Sequence, residues 1–433
     1  MSDGDVGDGR MEQAKEKVLK DPVHNYIRVR DPFIWRLINT RVFQRLRRIR
    51  QLGTSFLTFH GAEHSRFTHS LGAYETMRKV VEHFMRNYGW TPGERTRLLA
   101  LAAALLHDIG HGPFSHAVEP VTGQRHEGWT VRLLREEAEL RAVLDDVDDR
   151  FAEDVAGVIA GETDFPLLHQ LITGQLDVDR MDYLLRDALY TGVAYGQFEL
   201  ERLIRVMIPG RAEVLVRPSG RLTVEQYMLA RYFMYAQVYL HPTTVGSDLL
   251  VRKIVERAIM LRREGVLKDV PPLWDSWMSG LEDPGELSIE AFLGMDDAVF
   301  LAGLPGWERS GDPILSDLAG RLLHRRLFES VPVAEWTPEV ERLVREAFVQ
   351  AGLDPDSYAG FVHVSIDGSG NREPVWLSDG GGKWVNFFEQ SVLLRNLPPI
   401  AVKRLYFPGD LVESGGDRAA SLRKLLASLS HEG

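Results

Sequence analysis

The chain has 433 residues, of which 44% are hydrophobic, and it carries a formal net charge of −11. This length predicts one large domain with appendages or two to three domains, and the acidic balance argues against general coating of nucleic acid. The absence of cysteine excludes disulfides and thiolate metal sites, so metal ligands must be histidine and carboxylate, which suits Mn, Fe, Zn, Ni or Mg. We find no signal peptide and no membrane-spanning run, and we expect a cytoplasmic protein.

The N-terminal part of the chain predicts a flexible tail followed by a short extended segment. Residues 1–20 are acidic and rich in glycine, which is typical of a mobile tail. Residues 20–30 predict a hairpin with a turn at His24-Asn25. The next helix, with apolar residues at helical spacing between Val42 and Ile49, carries interleaved arginines. These arginines form either a solvated face or a surface that faces phosphates or a second subunit.

Two helices then carry residues that can bind a metal ion. A helix is predicted from Arg66 through Phe84, with His69 in its first turns. The aliphatic run 98–104 is too short to cross a bilayer and predicts a helix buried in a globular domain. His107 and Asp108 follow at its end, where exposed carbonyls favour a cation.

The alternative is that His107 and Asp108 form a buried hydrogen-bonded pair without a metal ion. The crowding of histidines argues against it, because histidine is the commonest metal ligand. His69 becomes a ligand candidate only alongside this pair. Eight of the 14 histidines lie in this region: His60, His64, His69, His83, His107, His111, His116 and His126.

A second informative stretch is the helix predicted at 178–187. Asp179, Tyr183 and Asp187 lie four residues apart and share one face. The alternative for this face is a solvated acidic surface capped by Asp177. The apolar stripe on the other side consists of Val178, Met181, Leu185 and Ala188.

The rest of the chain predicts helices first and a mixed segment last. Within a long helical region at 225–264, Arg231 and Tyr239 lie eight residues apart on one face and can point into a shared pocket. The elements predicted beyond it are helices at 287–293, 317–328, 340–349 and 418–429, strands at 361–366 and 400–406, and turns at 367–370 and 380–382.

These stretches together resemble the HD-domain phosphohydrolases, and within them the deoxynucleoside triphosphate (dNTP) triphosphohydrolases. The resemblance is closest to the branch with the animal sterile-alpha-motif/HD-domain enzyme and its bacterial relatives. The motifs that carry it are Phe43–Leu46, Gln51–Gly53, Arg66–Ser70, His107–His116, His126-Glu127 and Asp177–Arg180. It implies an all-helical catalytic architecture. With the strands predicted near the C-terminus, we expect a mostly α fold with an HD-domain helical core and a small C-terminal α/β appendage. The implied domains are the tail 1–20, a catalytic domain 21–265, a helical extension 266–355 and an α/β domain 356–433.

The resemblance also implies roles for individual residues. The implied metal ligands are His69, His107, Asp108 and Asp179. The implied catalytic residues are His111, His116 and His126, with Glu119 or Glu127 orienting an imidazole. The implied substrate contacts are Gln51 and Leu52 for base and sugar, Arg66, Arg180 and Arg231 for phosphates, and Tyr183, Asp187 and Tyr239 for the deoxyribose.

The activity that the resemblance implies is hydrolysis of a dNTP to a deoxynucleoside and inorganic triphosphate. It implies one divalent transition metal (Mn, Fe, Zn or Ni) in the site, Mg²⁺ carried in with the nucleotide, a homo-oligomer (dimer or tetramer) and activation by nucleotides at subunit interfaces. Three alternatives stay open: a phosphodiesterase or nucleotidase of the HD type, a dNTP-sensing oligomer without turnover, and a single-stranded nucleic-acid binder that uses the arginine helix.

Overall fold

The computed structural model describes residues 16–123, 125–267, 270–282, 287–366, 373–379, 381 and 383–431. Most of the predicted tail and the predicted turn at 367–370 lie outside these residues. Of the glycine run 380–382, only Gly381 lies within them.

The described chain begins with the predicted β-hairpin. Strand β1 (Lys17–Asp21) pairs antiparallel with β2 (Asn25–Val29). Asp21 closes the turn, because its Oδ1 accepts hydrogen bonds from the backbone N–H groups of Val23 and His24, both at 2.9 Å. The tail prediction is therefore wrong for β1, whose backbone groups are satisfied by its partner strand.

Helices dominate the fold, which confirms the predicted mostly α class. The helices of the first half are α1 (Pro32–Asn39), α2 (Arg41–Arg45), α3 (Arg66–Tyr88), α4 (Gly93–Leu106), α5 (Glu119–Thr122), α6 (His126–Glu136), α7 (Ala138–Asp145), α8 (Phe151–Ala160), α9 (Pro166–Thr173), α10 (Val178–Thr191) and α11 (Leu200–Val206). Those of the second half are α12 (Arg221–Met234), α13 (Pro242–Arg263), α14 (Pro272–Glu282), α15 (Ile289–Gly294), α16 (Asp297–Glu308), α17 (Pro313–Leu323), α18 (Pro338–Gln350), α19 (Pro355–Tyr358), α20 (Phe387–Gln390), α21 (Val392–Arg395), α22 (Gly409–Ser414) and α23 (Ala420–His431). Among the described residues, we find no helix with the length and apolar character that crossing a membrane requires.

Two small sheets follow the helical core. Their strands are β3 (Met207–Pro209), β4 (Val214–Val216), β5 (Glu329–Pro332), β6 (Gly360–Ile366), β7 (Trp376–Ser378), β8 (Trp384–Asn386) and β9 (Ile400–Phe407). One sheet has the order β3-β4-β7-β8 and the other the order β5-β9-β6, so the strands predicted at 361–366 and 400–406 are confirmed as an antiparallel pair. Both sheets join strands from either side of residue 356. The C-terminal segment is therefore packed onto the preceding chain.

The core that supports the site consists of α3, α4 and α10. Residues 99–106 of α4 are all buried, because the aliphatic run offers no polar face to water. Helix α10 packs closely on α3 at Gly72, where a Cβ atom would lie 1.8 Å from Asp182 Oδ1. The buried face of α10 includes Leu184 where the sequence predicted Leu185, and it also buries Asp182.

The arginine-rich helix is shorter than the sequence predicts. Helix α2 ends at Arg45 and continues as one 3₁₀ turn at Leu46–Arg48. Ile49 is extended because its carbonyl accepts a hydrogen bond from the backbone N–H of Arg66 at 2.9 Å. This link ties the segment before the Gln51 motif to the start of α3.

The predicted helical region at 225–264 is interrupted. Helix α12 passes into a π-helical turn at Tyr235–Tyr239, and α13 starts afresh at Pro242, because proline lacks the N–H needed to continue a helix. The predicted helix 317–328 ends at Leu323, just before Arg325 takes a positive φ of 54°. The sequence analysis did not predict α14 and α16.

Candidate active site and metal centre

Three side chains from separate elements meet at one point. His69 lies in the first turn of α3, His107 directly follows α4, and Asp179 lies in the first turn of α10. The Nε2 atoms of the two histidines are 3.3 Å apart. Asp179 Oδ1 lies 3.0 Å from Nε2 of His69 and 3.4 Å from Nε2 of His107. Together these atoms can hold one metal ion, and we call His69, His107 and Asp179 the metal-competent group.

The outer ring nitrogens of both histidines are fixed by acceptors. Nδ1 of His69 donates to Asp182 Oδ2 at 2.9 Å, and Nδ1 of His107 donates to the Ala104 carbonyl at 2.9 Å. With the Nδ1 atoms held in this way, both Nε2 atoms point toward Asp179, and a metal ion would bind there in place of the Nε2 protons. This arrangement fits a divalent transition metal, whose imidazole ligands usually have such partners. Sequence reasoning missed Asp182, although a carboxylate beside the apolar stripe of α10 needs a buried partner.

Asp108 lies beside this group and links it to the rest of the site. Its carboxylate oxygens are 3.6 Å from Nε2 of His69 and 3.6 Å from Nε2 of His107. Arg66 donates a hydrogen bond to Asp108, and His111 Nε2 lies 3.2 Å from its Oδ1. Burial opposes ionisation of Asp108, but the neighbouring cations, Arg66 first, hold its pKa well below the usual range.

Within the metal-competent group, the imidazoles and the Asp179 carboxylate stabilise each other's charged forms. Burial lowers the pKa of His69, but hydrogen bonds to Asp179 and Asp182 outweigh burial and raise it to about 10. Burial also opposes ionisation of Asp179, but hydrogen bonds to His107 and His69 hold its pKa below the usual range.

Next to the metal-competent group lies a cluster of three histidines around one carboxylate. Glu119 accepts from Nδ1 of His126 at 2.8 Å and from Nδ1 of His116 at 3.3 Å. The His111 ring stacks on the His126 ring with centroids 3.8 Å apart. Burial and the nearby guanidinium of Arg66 hold the pKa of His111 well below its usual value, so His111 is neutral near pH 7.

Of the two predicted orienting carboxylates, Glu119 has the more direct geometry. Glu127 is 43% exposed and accepts hydrogen bonds from Arg125. Its Oε2 lies 3.5 Å from Nδ1 of His126, farther than Glu119. Glu119 therefore sets the orientation of the His126 ring.

Helix α6 is docked against the loop after α4 by two residues. Thr130 Oγ1 accepts from the Gly110 N–H at 3.0 Å and donates to the His107 carbonyl at 3.0 Å. A Cβ atom at Gly110 would lie 2.1 Å from the His126 carbonyl, so this approach requires glycine. These contacts place His126 close to the metal-competent group.

The loop between His111 and His116 is held in a strained conformation. Phe114 and Ser115 have positive φ angles of 48° and 38°, which are uncommon outside glycine. Asp297, at the start of α16, accepts from the Phe114 N–H at 2.8 Å and from the Arg50 N–H at 2.9 Å. Sequence reasoning missed Asp297, because only the tertiary fold brings α16 to this loop.

A cavity of about 540 Å³ connects these groups, a size typical of ligand sites. Of the predicted site residues, it is lined by Gln51, Leu52, Arg66, Asp108, His111, His116, His126, Glu127, Asp179, Arg180, Tyr183, Asp187 and Tyr239. His69, His107, Glu119 and Arg231 are the predicted site residues outside this lining. Arg231 donates instead to Gln175 Oε1 at 3.0 Å.

Another part of the cavity lining is aromatic and acidic. The rings of Tyr183 and Tyr239 are 6.1 Å apart and nearly perpendicular. Tyr239 donates its hydroxyl to Asp187 Oδ2 at 2.8 Å. Arg180 donates to the carboxylate of Asp177, the residue that caps the start of α10. This contact holds the arginine in place.

Asp248 is a pocket residue that sequence reasoning did not find. It lies on α13 and accepts a hydrogen bond from the Thr54 hydroxyl. Burial raises the pKa of the Asp248 carboxyl to about 6. The sequence does not single it out, because its partner Thr54 is distant along the chain.

Asp248 is expected to make folding weaker as the pH rises. Its pKa in the folded protein, about 6, is above the value of about 3.9 for an unfolded aspartate. The unfolded chain therefore ionises first, and folding loses up to about 3 kcal/mol between pH 4 and pH 7. We expect Asp248→Asn to gain stability relative to wild type over this range, measured by urea unfolding. The exposed Asp149→Asn serves as control, and a pH-independent difference for Asp248→Asn would refute the assignment.

Comparison with known proteins agrees with this geometry. A model of the HD domain matches residues 66–187. The protein YwfO of Bacillus subtilis is 42% identical over 425 residues, covering 93% of this chain and 94% of YwfO. SAMHD1 of Gallus gallus, a deoxynucleoside triphosphate triphosphohydrolase, is 34% identical over 223 residues, which cover 44% of this chain and 36% of that enzyme. A phosphohydrolase from Bacteroides thetaiotaomicron has a similar structure, with a TM-score of 0.80, 28% identity, and coverage of 90% of this chain and 99% of that one. The chain therefore belongs to the HD-domain phosphohydrolase family.

Proposed function

We propose that the protein hydrolyses dNTPs to a deoxynucleoside and inorganic triphosphate. The observation that carries the proposal is that one cavity is lined by three features: Asp179 of the metal-competent group, the histidines of the cluster, and the aromatic and acidic residues Tyr183, Asp187 and Tyr239. A nucleotide is the ligand class that needs a phosphate end and a sugar end in one pocket. The likeness to SAMHD1 supports this choice, although this chain spans about a third of the chicken enzyme (36%).

At the phosphate end, His69, His107, Asp108 and Asp179 would hold the divalent ion. When bound, the ion would polarise the α-phosphorus and lower the pKa of an attacking water. Arg66 contacts Asp108 and lines the cavity, so its remaining N–H groups would neutralise phosphate charge.

The leaving oxygen needs a proton as the bond between phosphorus and the 5′ oxygen breaks. Glu119 accepts from Nδ1 of His126 and would stabilise the imidazolium form of this ring, whose Nε2 proton would be donated to that oxygen. His116 is the second candidate donor, since Glu119 holds its Nδ1 too, but its side chain is 66% exposed. His111, neutral and stacked on His126, would keep the donor ring in place.

At the other end, the deoxynucleoside would lie against the tyrosines. Tyr183 and Tyr239 offer an edge-and-face corner for the deoxyribose, and Asp187 offers acceptor oxygens for a sugar hydroxyl. Gln51 and Leu52 line the same cavity and would contact base and sugar.

Product analysis tests the proposal directly. Purified protein loaded with Mn²⁺ and supplied with Mg²⁺ is incubated with each dNTP and with a mixture of all four, and the products are separated by chromatography. We expect deoxynucleoside and inorganic triphosphate in equal amounts. Monophosphate or free phosphate would favour the phosphodiesterase or nucleotidase alternative. Binding without any turnover, also with mixed nucleotides, would favour the sensing alternative.

The proposal extends to the metals and to assembly. We propose Mn, Fe, Zn or Ni in the site, Mg²⁺ on the incoming nucleotide, and a dimer or tetramer that nucleotides activate. Elemental analysis of the purified protein identifies the metal. Light scattering with and without dNTPs measures the assembly.

A further inference from the structure

Behind the sugar end of the cavity, a buried histidine contacts Asp187. His64 lies in the loop before α3, and its Nε2 is 2.7 Å from Asp187 Oδ1. The other oxygen, Oδ2, accepts from Tyr239 at 2.8 Å. His64 is 4% exposed and Asp187 is 1% exposed, so water does not weaken either contact.

The surroundings of His64 define its protonation. Its Nδ1 is buried and has no hydrogen-bond partner among the described residues. A proton on Nδ1 would therefore be a buried donor without an acceptor, which costs free energy. The proton is better placed on Nε2, where it is donated to Asp187.

The ring of His64 is also fixed in place. It stacks on Tyr190 with centroids 4.5 Å apart and an angle of 19° between the planes. The loop that carries it lies so close to α10 that a Cβ atom at Gly61 would be 2.4 Å from the Tyr190 carbonyl. His64 therefore has little freedom to leave Asp187.

We propose that His64 is a positioning residue that, together with Tyr239, orients the Asp187 carboxylate to accept the 3′-hydroxyl of the bound deoxynucleoside. Each carboxylate oxygen has two acceptor sites. His64 and Tyr239 occupy one site on each oxygen and leave the other two for a ligand. This inference rests on the proposed function, because it takes a deoxynucleoside as the ligand.

The proposal is tested by combining substitutions at His64 with a substrate that lacks the 3′-hydroxyl. His64→Phe removes the donor and keeps a ring, whereas His64→Gln places an amide N–H near the position of Nε2. Each protein is assayed with dGTP and with 2′,3′-dideoxyGTP, which lacks the 3′-hydroxyl. In wild type, we expect kcat/KM to fall about 10-fold to 100-fold without the hydroxyl, the usual effect of a hydrogen bond to a charged group.

In His64→Phe, we expect the ratio of kcat/KM for dGTP to kcat/KM for 2′,3′-dideoxyGTP to fall to about three or less. In His64→Gln, we expect this ratio to recover most of its wild-type value. A merely structural role would slow both substrates equally and leave the ratio unchanged in His64→Phe, which would overturn the proposal. A ratio near one in wild type would overturn it as well.

Binding of deoxyguanosine and dideoxyguanosine, measured by calorimetry, gives the same ratio without turnover. Suppose that wild type releases no triphosphate but binds deoxyguanosine more tightly than dideoxyguanosine, and that His64→Phe loses this difference. The proposed reaction then fails, and the role of His64 stands. Equal binding of the two nucleosides by wild type and His64→Phe would remove the role of His64 even if dNTPs are hydrolysed. Melting temperature and metal content confirm that each variant is folded.

Discussion

Replacing Asp179 by asparagine is expected to remove the bound metal and nearly all turnover. Asp179 Oδ1 lies 3.0 and 3.4 Å from the two imidazole Nε2 atoms, nearer than the Asp108 oxygens at 3.6 Å. An amide oxygen there carries no charge to balance a divalent ion. Loss of metal assistance is worth several kcal/mol, and we expect kcat to fall at least about 10³-fold. The measurements are elemental analysis and release of triphosphate.

The matched control is the same substitution at an exposed position. Asp149→Asn changes the charge by the same amount away from the site, and should retain both metal and turnover. If Asp179→Asn keeps a full equivalent of metal and loses less than about tenfold in kcat, Asp179 is not a ligand and the proposed centre is wrong.

The second large effect is expected for His126→Asn, which removes the proposed proton donor. His126 is held by Glu119 at 2.8 Å and stacked on His111. General acid catalysis contributes about 10²-fold to 10⁴-fold, so we expect a loss of that size in kcat. KM and the metal held by His69, His107 and Asp179 should change little, because His126 is not in this group. His126 belongs to two neighbouring groups, one with Asp108 and His111 and one with His116 and Glu119.

A substrate with a better leaving group separates this role from a structural one. A nucleotide analogue whose leaving oxygen needs no protonation should recover much of the lost rate in His126→Asn. Asparagine in place of the exposed His60 is the matched control. Equal losses with both substrates would show that His126 does not donate the proton, and His116→Asn is then the variant to compare.

The sequence predicted elements well where a local pattern decides them. The hairpin predicted at residues 20–30 is confirmed, although its first strand starts at Lys17, and the strands predicted at 361–366 and 400–406 are confirmed. Alternation and turn residues act within a few positions. The helix predicted through Ile49 was wrong after Arg45. The helical region predicted at 225–264 is confirmed, but it is interrupted before Pro242. In both places, a contact or a proline broke a periodicity that continues in the sequence.

The residues of the site also divide into those that the sequence nominated and those that only the tertiary structure revealed. The family resemblance nominated His69, His107, Asp108 and Asp179 as metal ligands. Helical spacing put Asp179, Tyr183 and Asp187 on one face of a helix. Neither gave any sign that Asp182 contacts His69, that Asp297 contacts Phe114, or that Asp248 lines the cavity. These carboxylates stand among apolar residues, and their partners are distant along the chain.

The sequence alone determined the kinds of groups available: imidazoles and carboxylates without thiols, on helices whose apolar stripes must be buried. Only the tertiary structure decided which of them meet, because α3, α4 and α10 bring residues 69, 107 and 179 to within 3.4 Å of one another. The same packing decided which carboxylate orients which ring, Glu119 for His126 and Asp182 for His69. Hydrogen bonds select partners by distance and direction, and neither can be read from separation along a chain.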